Sequence, residues 1–210
     1  MLLQADWSTY YAEVTDGLTQ HGRDAQRYHR VLDAAAQQLP IPWETGYFED
    51  IGKRRIMIGI KDFGWLGNVG ASGHFRNLLA RRGADWPRII QAVNAMARLD
   101  APIPVDQLHP HLESLVSLGN TLKVWSRLLA LVRPDLYCSV ASDCVRRNLS
   151  EMLDIPADRF STMDGYAELI GMIHLAPWFN SAEPAFAAES AIWQRRVAFM
   201  DAILYLEGEH

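Results

Sequence analysis

Cysteine is scarce in this 210-residue chain. Its two cysteines, Cys138 and Cys144, are too few for a disulfide scaffold, and without a CxxC pair they do not provide a four-cysteine zinc or iron-sulfur site. We expect both to be reduced and structural. His109 and His111 flank a proline without an identifiable third ligand, so the sequence predicts no metal site and no cofactor.

Long apolar runs are also missing. No stretch reaches the roughly 18 apolar residues that span a bilayer, and the opening residues Met-Leu-Leu-Gln-Ala-Asp-Trp lack the basic and apolar regions of a secretory signal. We therefore expect a cytoplasmic protein with no membrane partner.

The signatures of several common enzyme classes are absent from the sequence. The glycines at 64, 67, 70 and 73 do not form the GxGxxG pattern of dinucleotide-binding proteins, and no GxSxG, Walker or HExxH signature occurs. The common hydrolase, phosphate-transfer and dinucleotide-dependent classes therefore have no support.

The charge balance is acidic, with a net charge of -5. This argues against a protein that is wrapped over its whole surface by nucleic acid, because phosphate binding requires clustered Lys and Arg. Basic residues nevertheless cluster locally at 53–55, 81–82, 146–147 and 195–196. Such clusters are usually solvated helix ends, but they leave room for a local basic groove.

Apolar residues recur at three- and four-residue steps over most of the chain, first across 7–39 and again from Gly73 almost to the end. The apolar run Leu122–Val132 predicts one helix that stops before Pro134, because the residue before proline avoids the helical region. With 49% hydrophobic residues, a real core is expected.

The sequence therefore predicts a mainly α fold, a helical bundle of two lobes with a helix-hairpin-helix at its centre. We expect a single unit over residues 1–210, with sub-lobes at 1–100 and 101–210. Only residues 46–60 look strand-like, because Gly52-Lys53 resembles a turn and 55–60 is β-rich. A small β-hairpin is predicted there.

The segment Leu118–Leu129 joins two predicted helices through a tight glycine-containing turn. The first N-H groups of the second helix have no partner within the helix, and the helix dipole favours an anion at that end. This shape predicts a phosphate site for DNA at Gly119, Asn120 and Thr121.

The residues around this turn resemble the helix-hairpin-helix DNA glycosylase superfamily. Gly119–Lys123, the apolar helix Val124–Leu129 and Arg133–Asp135 are similar to the superfamily's hairpin and following helix, and Val145–Arg147 is similar to the residues after its catalytic aspartate. The resemblance covers about Leu118–Leu149.

The resemblance implies base excision from double-stranded DNA, alone or together with abasic-site lyase activity, and leaves open whether the role is DNA repair or defence against foreign DNA. Lys123 matches the nucleophile, and Asp143 is the nearest candidate for the stabilising acid, although Ser142 takes that position if the alignment is fixed on Lys123. Arg146 and Arg147 are expected at phosphates. The aromatic candidates for a pocket that holds the flipped base are Trp43, Tyr47, Phe48, Trp178 and Phe179.

Two other functions stay open. A non-catalytic DNA-binding protein that retains the fold is suggested by Thr121 in place of the second hairpin glycine and by the acidic net charge, and a protein-interaction module is the third alternative. Lys123 also fits a surface lysine on a core helix, and Asp143 a helix cap. His174 is expected to be buried and hydrogen-bonded rather than an acid or base.

Overall fold

The computed structural model describes residues 2–20, 25–44, 46–69, 85–119 and 122–205, together with Gly73 and Asn77. These residues are mainly helical and contain no strand, which confirms the prediction of a mainly α bundle. The helices are α1 (Trp7–Gln20), α2 (Ala25–Gln38), α3 (Ile51–Ile58), α4 (Asp85–Met96), α5 (Val105–Val116), α6 (Leu122–Val132), α7 (Asp143–Leu153), α8 (Met163–Leu175), α9 (Ala187–Trp193) and α10 (Met200–Leu204). Within the described part of the chain, no helix is long and apolar enough to cross a membrane.

The predicted β-hairpin at 46–60 is wrong, because most of this region forms α3. The side chain of Asp50 accepts hydrogen bonds from the backbone N-H groups of Gly52, at 2.6 Å, and of Lys53, at 3.2 Å, which caps the helix start. Gly59 ends the helix in the left-handed conformation, with φ +80°, and its N-H bonds back to Arg55 and Ile56. The two caps override the β propensity of residues 55–60.

Helix α6 has the predicted bounds and is buried along almost its whole length. It contacts α2, α3 and α5, so the helix that follows the glycine turn lies in the core. Its buried residues include Trp125, one of the largest side chains of the core. Because α6 is held on several sides, the backbone at its start has a fixed position.

The first and last described helices pack together. Gly17 in α1 allows this close approach, because a Cβ atom at that position would lie 2.4 Å from the carbonyl oxygen of Ala202 in α10. Nearby, the hydroxyl of Tyr28 in α2 donates to Asp201 of α10 at 2.6 Å. α10 also contacts α7, so it connects the N-terminal helices to the segment that carries Asp143.

Candidate functional site

Lys123 and Asp143 meet in the structure. Lys123 lies in the first turn of α6 and Asp143 is the first residue of α7. The Lys123 Nζ atom lies 3.3 Å from Asp143 Oδ1, and the two side chains are 38% and 83% exposed. The two residues that the sequence singled out for catalysis therefore face the same solvent-accessible place.

Ser126 fixes the spacing between the two helices. Its buried hydroxyl donates to the carbonyl oxygen of Lys123 at 2.9 Å and accepts from the backbone N-H of Val140 at 3.1 Å. One side chain thus ties the first turn of α6 to the segment that leads into α7. The relative position of Lys123 and Asp143 is set by the core and not by their own exposed contact.

The position of Arg146 differs from the sequence prediction, in which this residue contacts a phosphate. Its side chain is buried, with the residue 4% exposed, and one guanidinium nitrogen donates to the carbonyl oxygens of Val140 and Ala141. The other nitrogen pairs with Asp143 Oδ1, one helical turn away. Burial lowers the pKa of the Arg146 guanidinium. The residue holds the start of α7 and the Asp143 carboxylate in place and does not offer its donors to solvent.

The environment of Lys123 disfavours its protonated form. Partial burial, and secondarily the positive charge of Arg146, lower the pKa of the Lys123 amine. The neighbouring Asp143 carboxylate acts in the opposite direction, but it is so exposed that water screens its charge. A lowered pKa increases the fraction of neutral amine, which is the nucleophilic form.

The turn before α6 is described only in part. Gly119 is exposed, adopts φ +85° and donates its N-H to the carbonyl oxygen of Val116 at 3.0 Å. That backbone conformation is the one glycine adopts without strain. Asn120 and Thr121, the other predicted phosphate contacts, lie outside the described residues. Arg147 is exposed on α7.

Ala141 and Ser142, the two residues before Asp143, line a cavity of about 400 Å³ that we call the loop pocket. Its opposite wall is a loop that contributes Lys61 and residues 64–68, and α10 and its end contribute Asp201 and Tyr205. A cavity of this volume is in the range of small-molecule sites. Sequence patterns did not indicate it, because it forms between segments that are distant in the chain.

The aromatic residues suggested for a base pocket do not line this cavity. Their side chains are buried in the hydrophobic core: Trp43, Tyr47, Phe48, Trp178 and Phe179. Trp178, for example, stacks on Tyr10 with ring centroids 4.1 Å apart. The aromatic residues that line the loop pocket are instead Trp65 and Tyr205, which are both half-buried.

A single buried guanidinium organises the wall of the loop pocket. Arg127 of α6 donates from Nε to the carbonyl oxygen of Met57 at 3.2 Å, and from Nη2 to those of Ile56 at 3.0 Å and Phe63 at 2.6 Å. Its Nη1 donates to the carbonyl oxygen of Trp65. Arg127 therefore fixes the end of α3 and the following loop together. Burial lowers its pKa to about 10.

The same loop has an unusual backbone. Lys61 and Leu66 adopt positive φ values of 56° and 68°, although left-handed conformations cost a residue with a Cβ atom about 1 to 2 kcal/mol. The buried hydroxyl of Ser139 holds Leu66 by donating to its carbonyl oxygen at 2.7 Å. Gly67 packs so closely on Ala141 that a Cβ atom there would lie 2.6 Å from the alanine Cβ. Strained backbone of this kind concentrates at ligand sites.

Arg127 was missed as an organising residue, although the sequence carries a signal. It is the one charged residue inside the strongly apolar stretch 124–132, at a position that helical periodicity places in the core. A lone Arg at such a position must find several acceptors, since a buried charge without hydrogen bonds is costly.

The remaining polar candidates have structural roles. His174 is buried as expected, its Nδ1 accepting from the N-H of Ile103 at 3.3 Å while Nε2 bonds to the carbonyl oxygen of Leu136 at 3.0 Å. His109 pairs with Asp164 at 3.0 Å. Among the described residues, no group of three or more His, Cys, Asp and Glu side chains is placed to hold a metal ion.

Comparison with known proteins gave no significant match to any protein-family model, curated protein or solved structure. The resemblance of residues 118–149 to the DNA glycosylase superfamily therefore stays a prediction.

Proposed function

We propose that this protein is a DNA glycosylase with abasic-site lyase activity, and that Lys123 is its nucleophile. The observation that carries the proposal is the 3.3 Å contact between Lys123 Nζ and Asp143 Oδ1. This contact joins the first turn of α6, which follows the loop at Gly119, to the start of α7. The lowered pKa of Lys123 adds support, because only a neutral amine attacks carbon.

In the proposed reaction, the neutral amine of Lys123 attacks C1′ of the target nucleotide. The C–N bond to the base breaks, and its electron pair leaves with the base, which takes up a proton. The attached amine loses one proton, the bond between C1′ and the ring oxygen O4′ breaks, and O4′ takes up a proton, which leaves a protonated iminium linkage between Lys123 and C1′. Loss of a proton from C2′ then forms a double bond between C2′ and C3′, and the 3′ phosphate leaves with the electron pair of its bond to C3′, which cuts the strand.

Asp143 is suited to stabilise the cation that develops on the sugar, because its carboxylate is exposed beside the nucleophile. Arg146 acts as a positioning residue, because it pairs with the same carboxylate and binds the two carbonyl groups before α7. The exposed residues Gly119 and Arg147 are the described candidates for contacts to the DNA backbone.

A second proposal is a DNA-binding protein without catalysis, and one observation favours it. Arg146 already pairs with the oxygen of Asp143 that faces Lys123, so the carboxylate is engaged as a structural group at the start of α7. Such a protein would bind DNA with a strong dependence on salt, because phosphate contacts release counterions, but it would release no base.

Borohydride trapping tests the first proposal directly, because the sequence holds only three lysines, Lys53, Lys61 and Lys123. Borohydride reduces an iminium to a stable amine and so joins enzyme and DNA covalently. The purified protein is mixed with a duplex that carries an abasic site, and separately with duplexes that carry a panel of modified bases. Lys123→Gln is compared with Lys53→Gln and Lys61→Gln as matched controls.

We expect a covalent adduct with the unchanged protein and with both control variants, and no adduct with Lys123→Gln. An adduct that persists in Lys123→Gln would come from another amine and would contradict the assignment. If the protein forms no adduct and releases no base but binds DNA in a salt-dependent way, the non-catalytic proposal replaces the first.

A further inference from the structure

Helix α3 has a second face, which its contact with Arg127 does not use. Residues at steps of three and four along a helix share one side, and on α3 such a set lines a cavity: Ile51, Arg54, Arg55 and Ile58. The cavity has a volume of about 510 Å³, and its other described lining residues are Ile60, Gly73 and Asn77. We call it the α3 groove. Its described lining residues are all different from those of the loop pocket.

Part of the lining of the α3 groove is apolar. Ile51 is 61% exposed, whereas Ile60 is half-buried and Ile58 is buried. A single exposed aliphatic side chain is common on protein surfaces. Here the exposed side chain lines a cavity together with two further isoleucines, so an apolar group of a ligand in this cavity would remove their surface from water.

The charged residues that line the α3 groove are both positive. Arg54 is half-buried and Arg55 is exposed, and within the described part of the chain neither side chain has an ion pair or a hydrogen bond. The third cation of this basic cluster, Lys53, lies 3.8 Å from the ring centroid of Tyr47 and does not line the groove. The described lining includes no Asp or Glu, although the protein has a net charge of -5. Two guanidinium groups without acceptors are suited to bind carboxylates, which they can pair with in a bidentate arrangement.

The combination of isoleucines and arginines distinguishes between possible occupants. DNA phosphates would pair with the arginines but would leave the isoleucines without an apolar partner. A membrane surface would meet exposed side chains on a convex or flat face, whereas these residues line a cavity. A peptide that carries an aliphatic side chain beside carboxylates matches both kinds of lining residue.

We propose that the α3 groove binds a segment of a partner protein in which an aliphatic side chain is flanked by Asp or Glu residues. The aliphatic side chain packs on Ile51 and Ile58, and the carboxylates pair with Arg54 and Arg55. The proposal goes beyond the proposed function, because this binding involves neither Lys123 nor DNA.

A selection from displayed peptides identifies the preferred sequence without assuming one. The purified full chain is immobilised and incubated with a library of short random peptides displayed on phage, and the bound sequences are compared with the unselected library. We expect enrichment of sequences in which an aliphatic residue has acidic neighbours. The most enriched peptide is then synthesised with a fluorescent label, and its Kd is measured by fluorescence anisotropy.

Substitutions in the α3 groove test whether the selected peptide binds there. Arg54→Glu and Arg55→Glu should each weaken its binding by about tenfold, because each places a negative charge against the carboxylates of the peptide. Ile51→Asp should weaken it by about fivefold, because an apolar contact is lost. Arg98→Glu and Val105→Asp are the matched controls, and both should leave the affinity unchanged. Arg98 is an exposed arginine, Val105 is an exposed first residue of a helix as Ile51 is, and neither lines the groove.

A peptide of reversed charge separates recognition from folding. The selected peptide is synthesised again with lysine in place of its acidic residues. This peptide should bind the unchanged protein poorly and should bind Arg55→Glu more tightly than it binds the unchanged protein. A variant that had only lost its fold would not gain affinity for this peptide.

Three results of the peptide experiments overturn the proposal: no enrichment, enrichment of sequences without acidic residues, or an affinity that Arg54→Glu and Arg55→Glu leave unchanged. The same variants reveal other occupants, which overturn it as well. If Arg55→Glu weakens binding of duplex DNA and not of peptides, the groove is a phosphate site. If the protein dimerises in sedimentation velocity and Ile51→Asp makes it monomeric, the groove holds a second copy of the chain. Because none of these variants changes Lys123, failure of borohydride trapping does not affect these outcomes.

Discussion

Gly59 lies against the guanidinium group of Arg127. A Cβ atom at Gly59 would lie 3.0 Å from Arg127 Nη2 and 3.1 Å from Cζ, and the glycine has φ +80°. The close approach is what allows Arg127 to reach the carbonyl groups on both sides of the turn after α3. The wall of the loop pocket thus depends on one glycine and one arginine together.

Gly59→Ala is expected to destabilise the protein by about 2 kcal/mol, because a side chain at positive φ is strained and the added carbon crowds a buried guanidinium with no room to move. Thermal unfolding followed by circular dichroism measures this change. Gly171→Ala is the matched control, since Gly171 lies in α8 and a Cβ atom there meets nothing within 4 Å. The control should be stabilised by up to about 1 kcal/mol. If Gly59→Ala and Gly171→Ala changed the stability equally, Arg127 would not depend on the missing side chain at Gly59.

Asp143→Asn should raise the rate at which Lys123 reacts with a small amine reagent and should lower its trapping on abasic DNA. Loss of the negative charge 3.3 Å away lowers the Lys123 pKa further, so reaction with an amine reagent at about pH 8 should rise by roughly twofold, a small factor because the pair is exposed. Trapping on abasic DNA should fall by about 100-fold, because the developing cation loses its stabilising charge.

The comparison uses the two other lysines of the chain as internal references. Mass spectrometry gives the modification rate of Lys123 relative to Lys53 and Lys61 in the same sample. If trapping on abasic DNA does not fall in Asp143→Asn, Asp143 is a helix-start residue without a catalytic role. A parallel fall in amine reactivity would instead indicate that the segment has rearranged.

His174 makes stability depend on pH near neutrality. Burial lowers its pKa below the ordinary value of 6.5, so below about pH 6.5 the unfolded chain takes up a proton that the folded chain does not. The free energy of unfolding should therefore fall as the pH falls below this value, by at most about 1.4 kcal/mol per pH unit from this residue.

The His174→Gln variant isolates that contribution. Urea unfolding of both proteins between about pH 7.5 and about pH 5.5 should give a flatter profile for the variant. His29 also has a pKa lowered by burial, and it is present in both proteins, so the difference between the profiles belongs to His174. If the free energy of unfolding changed equally with pH in the two proteins, His174 would take up a proton as easily in the folded chain as in the unfolded chain.

The spacing of apolar residues was enough to predict the helices that have a long apolar face and a helix-ending residue, such as proline, close to their ends. Helix α6 is the clearest case, because most of its residues are apolar and Pro134 comes two residues after its end. The same patterns failed for α3, where β-branched residues suggested a strand. The caps at Asp50 and Gly59 make that region a helix. Each cap depends on a backbone conformation that the amino-acid composition does not reveal.

Only part of the site could be predicted in the same way. The resemblance to the DNA glycosylase superfamily identified Lys123 and Asp143, which the structure brings into contact. It did not reveal that Arg146 points inward, since a helix start offers both an exposed and a buried face. The loop pocket could not be predicted, because Asp201 reaches Trp65 and Ser142 only through packing between segments far apart in sequence.

The packing of α10 on α1 also has a consequence for synthesis of the protein on the ribosome. Tyr28 bonds to Asp201, and the face of α1 around Gly17 packs on Ala202, so the Tyr28 hydroxyl lacks this partner and that face of α1 stays uncovered until nearly the whole described chain has been made. Contacts that join such distant residues slow folding. Nascent chains of this protein should therefore expose this face of α1 for most of their translation and depend on chaperones until α10 has emerged.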